Sequence, residues 1–402
     1  MELSSTDQAL LAGEAGPGPA MAMKVVTETA IQMGATRLLD IVSAHIDGCL
    51  FHGQAGLDFA RRLLAGGARA SVPATLNVGA LDLLHPYLYR GPEEIAAFSR
   101  ELMETYEQLG CLPTWTCAPY QLRDRPGMGD QVAWAESNAT VFVNSVLGAR
   151  SNRYGDFMDV SCAVTGRAPA TGLHLDEGRQ ASIVIRIGPG LPVEEDWLYP
   201  ILGCLVGEVA GSSVALLKGL RPGLEEDRLK ALGAGAATTG SVALLHVVDS
   251  TPEALDHAAL PISESATTVE IGSSDVERMR STLSNAAGST PDAVSLGAPH
   301  YSVAELETLV HLLAGRPVRL PTYVNTSRAA VQERPDLEST LVGSGVTVVT
   351  DTCTYLTPII DRVVRVVATD SGKWAYYAPG NLGVGVIFAP VSECVEIAVG
   401  TG

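Results

Sequence analysis

Basic residues are scarce in this chain: 27 Lys and Arg stand against 45 Asp and Glu, a net charge of −18 over 402 residues. With no concentrated basic run, that balance argues against nucleic acid or an anionic membrane surface as the main partner. An anionic substrate would have to be gripped by a few local cations. Long apolar runs are missing as well, although 46% of the residues are apolar. No run spans a bilayer, and a chain of this length buries one or two substantial cores, which predicts more than one lobe. Met1 to Ala20 lacks a basic stretch followed by an apolar core, so no signal peptide is read and the cytoplasm is the expected compartment. The seven cysteines, at 49, 111, 117, 162, 204, 353 and 394, are odd in number and never spaced C-x-x-C. A disulfide framework is therefore not expected. Most read as small buried hydrophobes, and only Cys117 and Cys353, beside polar or turn-forming residues, invite a chemical reading. The dinucleotide, P-loop, G-x-S-x-G and H-E-x-x-H motifs are all absent, so the glycine-rich pieces VGEVAGSS and ALGAGAATTGS read as tight packing and turns.

What the chain does hold is a dense polar stretch over 114–180, where TWTCAPY, AWAESNATVFVNSVLGARSNRYGDF and TGLHLDEGR set Asn, Ser, Glu, Arg, His and Cys between apolar residues. It reads as the wall of an active site. A helix over Ala133–Leu147 puts Glu136, Thr140 and Asn144 on one stripe, with Gly148 as its stop. Arg150, Asn152 and Arg153 follow, two permanent cations and an amide suited to a carboxylate or phosphate. The same residues also suit a solvated helix face followed by a surface loop. His45 and Asp47, in SAHIDG after an apolar strand, read equally as a turn or as site residues. His174 in LHLDE can transfer protons with Asp176 and Glu177 as orienting carboxylates, or can be a structural histidine.

After residue 181 the pattern alternates strands and helices: SIVIRI, a helix near Leu198–Val209, SVALLHVV, DAVSL, a helix over Val303–Leu313, VRLPTYV, VTVVTD, VVRVVA and VGVIF. Runs apolar on both faces predict a parallel sheet flanked by helices. Ser302 and Glu305 form a capping box, and Gly315 closes the helix between them. LGAPH, DTCTY and TDSGKWAYYAPG each follow a strand, and three such loops can converge on one pocket. In the last of them Lys373 stands in a Ser-Gly-Lys turn beside Trp374, Tyr376 and Tyr377, which can desolvate its amine and make it a substrate anchor or an acid/base; a surface lysine is the plainer reading. Without a linker or repeat, two lobes, 1–180 and 181–402, are expected to share an interface with the site between them.

Taken in order, TWTCAPYQL, AWAESNATVFVNSVLGARSNRYGDF, TGRAPATGLHLDEGR, LGAPHYSVAEL, VTDTC and GKWAYYAPG resemble the catalytic large domain of the aconitase X family. The resemblance runs from LLAGEAG (10–16) and AHIDG (44–48) to APVSECVEIA (389–398). It implies an aconitase-like, multi-lobed α/β fold and a dehydratase acting on a small hydroxy acid, either cis-3-hydroxy-L-proline or mevalonate 5-phosphate. It implies an iron–sulfur cluster, with Cys117 and Cys353 as ligands and Cys394 as a weaker candidate. The family's GCPH is GAPH here, so Ala298 stands at a cysteine position and brings no donor atom; His300, two residues on, is the nearby substitute. The resemblance also implies a small swivelling domain, expected as a partner polypeptide. Dehydration needs a base for the α-proton, stabilisation of an enediolate and an acid for the departing hydroxide. Lys373, His174 and Glu136 are the catalytic candidates, and Ser137, Asn138, Asn144, Arg150, Asn152, Arg153, His45 and Tyr377 the substrate-binding ones. Ala298 also leaves open a cluster-free relative recruited to proton transfer, isomerisation or cyclisation. A non-catalytic scaffold would not need AESNA, GARSNR and GKWAYYAP.

Overall fold

The computed structural model describes residues 1–400. Two sheets rather than one follow residue 181. The first runs Leu245–Val247, Ala215–Lys218, Ala181–Ile187, Ile262–Ile271, and the second Val346–Val349, Thr322–Thr326, Ala293–Tyr301, Val366–Thr369, Gly385–Phe388; every pairing in both is parallel. Before residue 181, Ala74–Leu76, Ser43–Ile46 and Val132–Trp134 make a small parallel sheet, and Leu38–Asp40 pairs antiparallel with Arg167–Pro169. Helices flank all three parallel sheets, as continuous apolar strands demand. No helix among the described residues is long and apolar enough to cross a membrane.

Several elements match the sequence closely. The helix Val303–Leu313 carries its capping box at Ser302 and Glu305, and the strands Ala181–Ile187, Thr322–Thr326 and Val346–Val349 overlap the runs read as strands. Two readings are corrected. Residues 133–147 are not one helix: Val132–Trp134 is a strand and the helix is Ser137–Ser145, because the Glu136 carboxylate accepts the Ala139 N–H and so acts as N-cap instead of first-turn residue. The run ALGAGAATT lies inside the helix Glu226–Thr239 rather than in turns, with Gly240 as its cap. Its glycines serve close packing against the helix Leu198–Ala210, since a Cβ on Gly235 would stand 2.7 Å from both Cys204 N and Pro200 O.

One apolar core joins the halves of the chain. Val78, Cys117 and Val141 pack with Leu198, Leu202, Cys353 and Trp374, whereas the first 170 residues and the last sheet's outer face keep cores of their own. The carboxyl ends of Ser43–Ile46, Val132–Trp134, Val346–Val349 and Val366–Thr369 all lead into this junction.

Candidate functional site

At the junction a cation and an anion are buried together. Lys373 lies not in a turn but in the first turn of the helix Gly372–Leu382, capped by Ser371, whose hydroxyl accepts the Trp374 N–H at 3.0 Å and donates to the Ala298 carbonyl. Its Nζ is 2.5 Å from Glu136 Oε1, with each side chain 6% exposed. Burial pushes the Glu136 carboxyl up, but the Lys373 ammonium, the Ala139 N–H and the Asn138 amide outweigh it and hold the group below its ordinary value. Burial likewise pulls the Lys373 amine down, and the Glu136 carboxylate reverses this and holds it well above. Both stay charged in a desolvated place, where losing one partner strands the other. Asn138 braces the pair, donating to Glu136 and to Cys117 O (3.1 Å) while accepting the Tyr120 hydroxyl at 2.7 Å; Ser137 Oγ donates to Glu136 at 3.3 Å.

Next to this pair stand Cys117, Cys353 and His300, whose donor atoms all lie within 4.8 Å of one another and are buried. Burial pushes the Cys117 thiol up, yet the Cys353 thiol, the His300 ring and the Lys373 ammonium bring it down to about 6; Cys353, which donates to it, is held well above its ordinary value. The His300 N–H also donates to Cys117 Sγ at 3.3 Å. His300 Nε2 is 3.0 Å from Thr352 O, and because a carbonyl only accepts, that nitrogen carries the proton; Nδ1 keeps the lone pair, 3.1 Å from Thr116 Oγ1. Ala298 lies on the same strand as His300, buried, with a methyl where the family has a thiol. Cys394 is elsewhere: on the helix Val391–Val399 it donates to Ala389 O at 3.6 Å and packs in the last sheet's outer core. The donor set is thus two sulfurs and one nitrogen, one thiolate short of the three cysteines the resemblance asks for.

The third wall comes from Ser43–Ile46 and the residues after it. His45 Nδ1 lies 2.8 Å from Thr75 Oγ1, and the Asn77 side chain also acts on the ring; Nε2 is buried and makes no hydrogen bond of good geometry among the described residues. Burial lowers its pKa to about 4 and keeps the ring neutral. Asp47 accepts from the Asn77 amide, and burial with the nearby Glu136 charge raises it to about 7. Sequence reasoning named Asp47 but passed over Asn77 and Tyr355; the only signal was their place just after apolar strands. Tyr355 stacks on the half-buried Tyr377 at 5.9 Å between centroids and is among the groups acting on Lys373. A cavity of about 50 Å³, lined by Ala298, Ser371 and Lys373, adjoins one of about 370 Å³ through Pro200, Ala231, Tyr301, Glu305 and Asp370.

The remaining candidates form a second polar cluster. His174 is flanked by Gln131 Oε1 (2.6 Å) and the Tyr154 hydroxyl (2.7 Å), and burial, Arg179 and Arg150 lower it to about 4. Asp176 does not orient it, contrary to the sequence reading; Asp176 pairs with Arg150, whose Nη1 donates to His174 O at 3.2 Å, and the Glu177 carboxylate has no bond to the ring. Asn152 spans the turn by donating to Thr171 O (3.0 Å) and accepting from Leu173 N (2.9 Å). Asn144 donates to Ser151 O and Ala243 O and accepts from Ser151 N and Arg179, which uses all its capacity. Arg153 is exposed.

Comparison with known proteins agrees with this geometry. Domain models described as the aconitase X first, second and third domains match residues 1–177, 181–281 and 291–400. The chain is 41% identical to a cis-3-hydroxy-L-proline dehydratase of Pseudomonas aeruginosa, covering 99% of this chain and 70% of that protein. It is 34% identical to a phosphomevalonate dehydratase large subunit of Thermococcus kodakarensis, covering 94% of this chain and 95% of that one. The crystal structure of Thermococcus kodakaraensis aconitase X in its holo-form superposes with a TM-score of 0.90 at 33% identity, over 99% of this chain and 100% of that chain. On these matches the chain belongs to the aconitase X family.

Proposed function

We propose that this chain is the catalytic part of a hydro-lyase that removes water from a small β-hydroxy acid of the cis-3-hydroxy-L-proline kind. The observation that carries the reading is the buried Glu136–Lys373 pair at the junction of the two halves, 2.5 Å apart and held in the charged state. A substrate carboxylate entering the junction competes with Glu136 for the Lys373 ammonium. Lys373 then neutralises charge that grows on the carboxylate as the enediolate forms, and Glu136, released from its partner, takes the α-proton. His45 Nε2 accepts a hydrogen bond from the substrate, and Asp47, held near neutrality, delivers a proton to the departing hydroxide. With Ala298 where the family has a thiolate, this reading gives the acid role to these side chains rather than to a cluster iron. Ser137 and Asn138 hold Glu136 in place, and Tyr377 supports the Tyr355 wall.

A second polypeptide of the small swivelling type completes the site in this reading. Relatives occur both as a longer chain, of which this one covers 70%, and as proteins named large subunits. The test is to incubate the chain, together with any small chain that co-purifies, with cis-3-hydroxy-L-proline and with mevalonate 5-phosphate. Loss of water from the first, reduced about 10²–10⁴-fold by Glu136→Gln, is expected; turnover of neither compound, or a full rate in Glu136→Gln, would overturn the proposal. Ala298 favours one second reading, a cluster-free proton transfer on a different acid. It would be recognised by solvent deuterium entering the α-carbon while the hydroxyl is retained.

A further inference from the structure

The loss of the thiol at position 298 leaves a donor set with a coherent chemistry of its own. Cys117 Sγ, Cys353 Sγ and one His300 nitrogen approach within 4.8 Å from three different segments; all three residues are buried, and the two cysteines belong to the apolar core that joins the two halves. We propose that Cys117 Sγ, Cys353 Sγ and His300 Nδ1 bind one divalent transition-metal ion of zinc-like preference in place of an iron–sulfur cluster, leaving the ion's fourth position open toward Glu136 and Lys373.

Four features support this assignment. Two thiolates on a tetrahedral ion at Zn–S of about 2.3 Å stand about 3.8 Å apart, with the imidazole nitrogen slightly nearer, so the present spacing needs only small side-chain rotations to close. The His300 tautomer is already the required one: Nε2–H donates to the Thr352 carbonyl at 3.0 Å, the outer bond that ligating histidines characteristically make, and it directs the lone pair to Nδ1. Nδ1 now accepts from the Thr116 hydroxyl, which also receives the Ala118 N–H at 3.1 Å, so metal binding at the ring gives up one neutral hydrogen bond, and at the thiols the weak one that Cys353 donates to Cys117. Charge also balances, because a divalent ion with two thiolates and a neutral imidazole is uncharged, and the adjacent Lys373–Glu136 pair is neutral in sum; an uncharged assembly suits a buried junction. Three protein ligands and one open position is the arrangement of catalytic rather than closed structural metal sites. A cluster, in contrast, would draw on thiolates that Ala298 and the distant Cys394 do not provide.

The experiment reads metal rather than turnover, so its failure is separable from failure of the hydro-lyase reading. The full chain, purified anaerobically, is assayed for metals and acid-labile sulfide, then stripped and titrated with Co²⁺. About one metal per chain, no sulfide, and a thiolate-to-cobalt charge-transfer band saturating at about one equivalent are expected. Cys353→Ser and Cys117→Ser each remove about half of the band, and His300→Gln keeps the band but weakens Co²⁺ binding, each with an unchanged far-ultraviolet circular dichroism spectrum. Ala298→Cys gains uptake of iron and sulfide on reconstitution. Sulfide equal to iron in the unsubstituted protein, or Co²⁺ binding without a thiolate band, would overturn the proposal, and the unsubstituted chain gives that answer whether or not a variant folds.

Discussion

Two buried polar clusters draw on the stretch 114–180, one within the first half and one at the junction with the second, and they differ in whether their bonding capacity is spent. Around His174 all partners but one are close in sequence and the bonding capacity is spent: both ring nitrogens, the Asn152 amide and all four positions of Asn144 are satisfied within residues 131–179, apart from one bond to the distant Ala243 carbonyl. Around Glu136 the decisive partner comes from 237 residues away, and capacity remains: an unpartnered nitrogen on His45, two adjacent thiols, and an ion pair that a substrate can divide. A saturated polar network rigidifies, whereas an unsaturated one of equal burial is a destabilised place whose retention points to chemistry. The density of polar residues in 114–180 drew both clusters into one expected wall. Satisfaction of hydrogen bonds separates them.

The largest expected effect tests that separation directly. Lys373→Met leaves the Glu136 carboxylate buried without its cation, which costs about 3–5 kcal/mol of stability and lowers turnover about 10²–10⁴-fold. Adding Glu136→Gln removes the stranded charge, so the double variant is expected to recover most of the thermal stability and none of the activity. Denaturant unfolding and an assay on the same preparations would show it. Activity returning along with stability would mean that the pair is structural and the contrast between the clusters false.

The residues of this pair were legible in the sequence; their meeting was not. Glu136 and Lys373 each stood out by the apolar and aromatic residues around them, and Cys117 and Cys353 by their polar surroundings. Only the tertiary fold sets them side by side. Local rules worked where local interactions decide, as in the capping box at Ser302 and Glu305. They failed where tertiary packing overrides them. The glycines of 226–239 were read as tight packing and turns, and only the packing holds, since they let two helices touch; Glu136 was read as one position of a helical stripe when its carboxylate instead begins the helix. The ten-residue strand Ile262–Ile271 escaped because its sequence, ISESATTVEI, is polar and largely exposed, without the apolar runs that marked its neighbours.

His174→Gln should sharpen the comparison from the other side. It is expected to keep turnover within about 10-fold while costing about 1–3 kcal/mol, since Tyr154 and Gln131 lose a buried partner. Its signature is in the pH dependence of unfolding. The folded ring titrates at about 4, below the ordinary 6.5, so on acidification the unfolded chain takes up the proton first. Stability from this group is complete above pH 6.5 and is lost progressively as pH falls toward about 4, and the variant should lack that portion of the slope. A collapse of turnover with the slope unchanged would move His174 into the reactive cluster.

The smallest effect concerns the loop cations. Arg150 spends its guanidinium on the His174 carbonyl and on Asp176, a carboxylate 83% exposed and so heavily screened by solvent. Arg150→Ala should therefore cost at most about 1 kcal/mol in denaturant unfolding, and the KM for the hydroxy acid should remain within about twofold of the parent chain. An arginine holding a substrate carboxylate behaves otherwise, because removing a charge-assisted bond raises KM by at least ~10-fold while leaving stability nearly untouched. KM therefore separates the two roles. A large rise in KM with normal stability would assign the 150–153 loop to the substrate and erase the boundary between the saturated cluster and the reactive one.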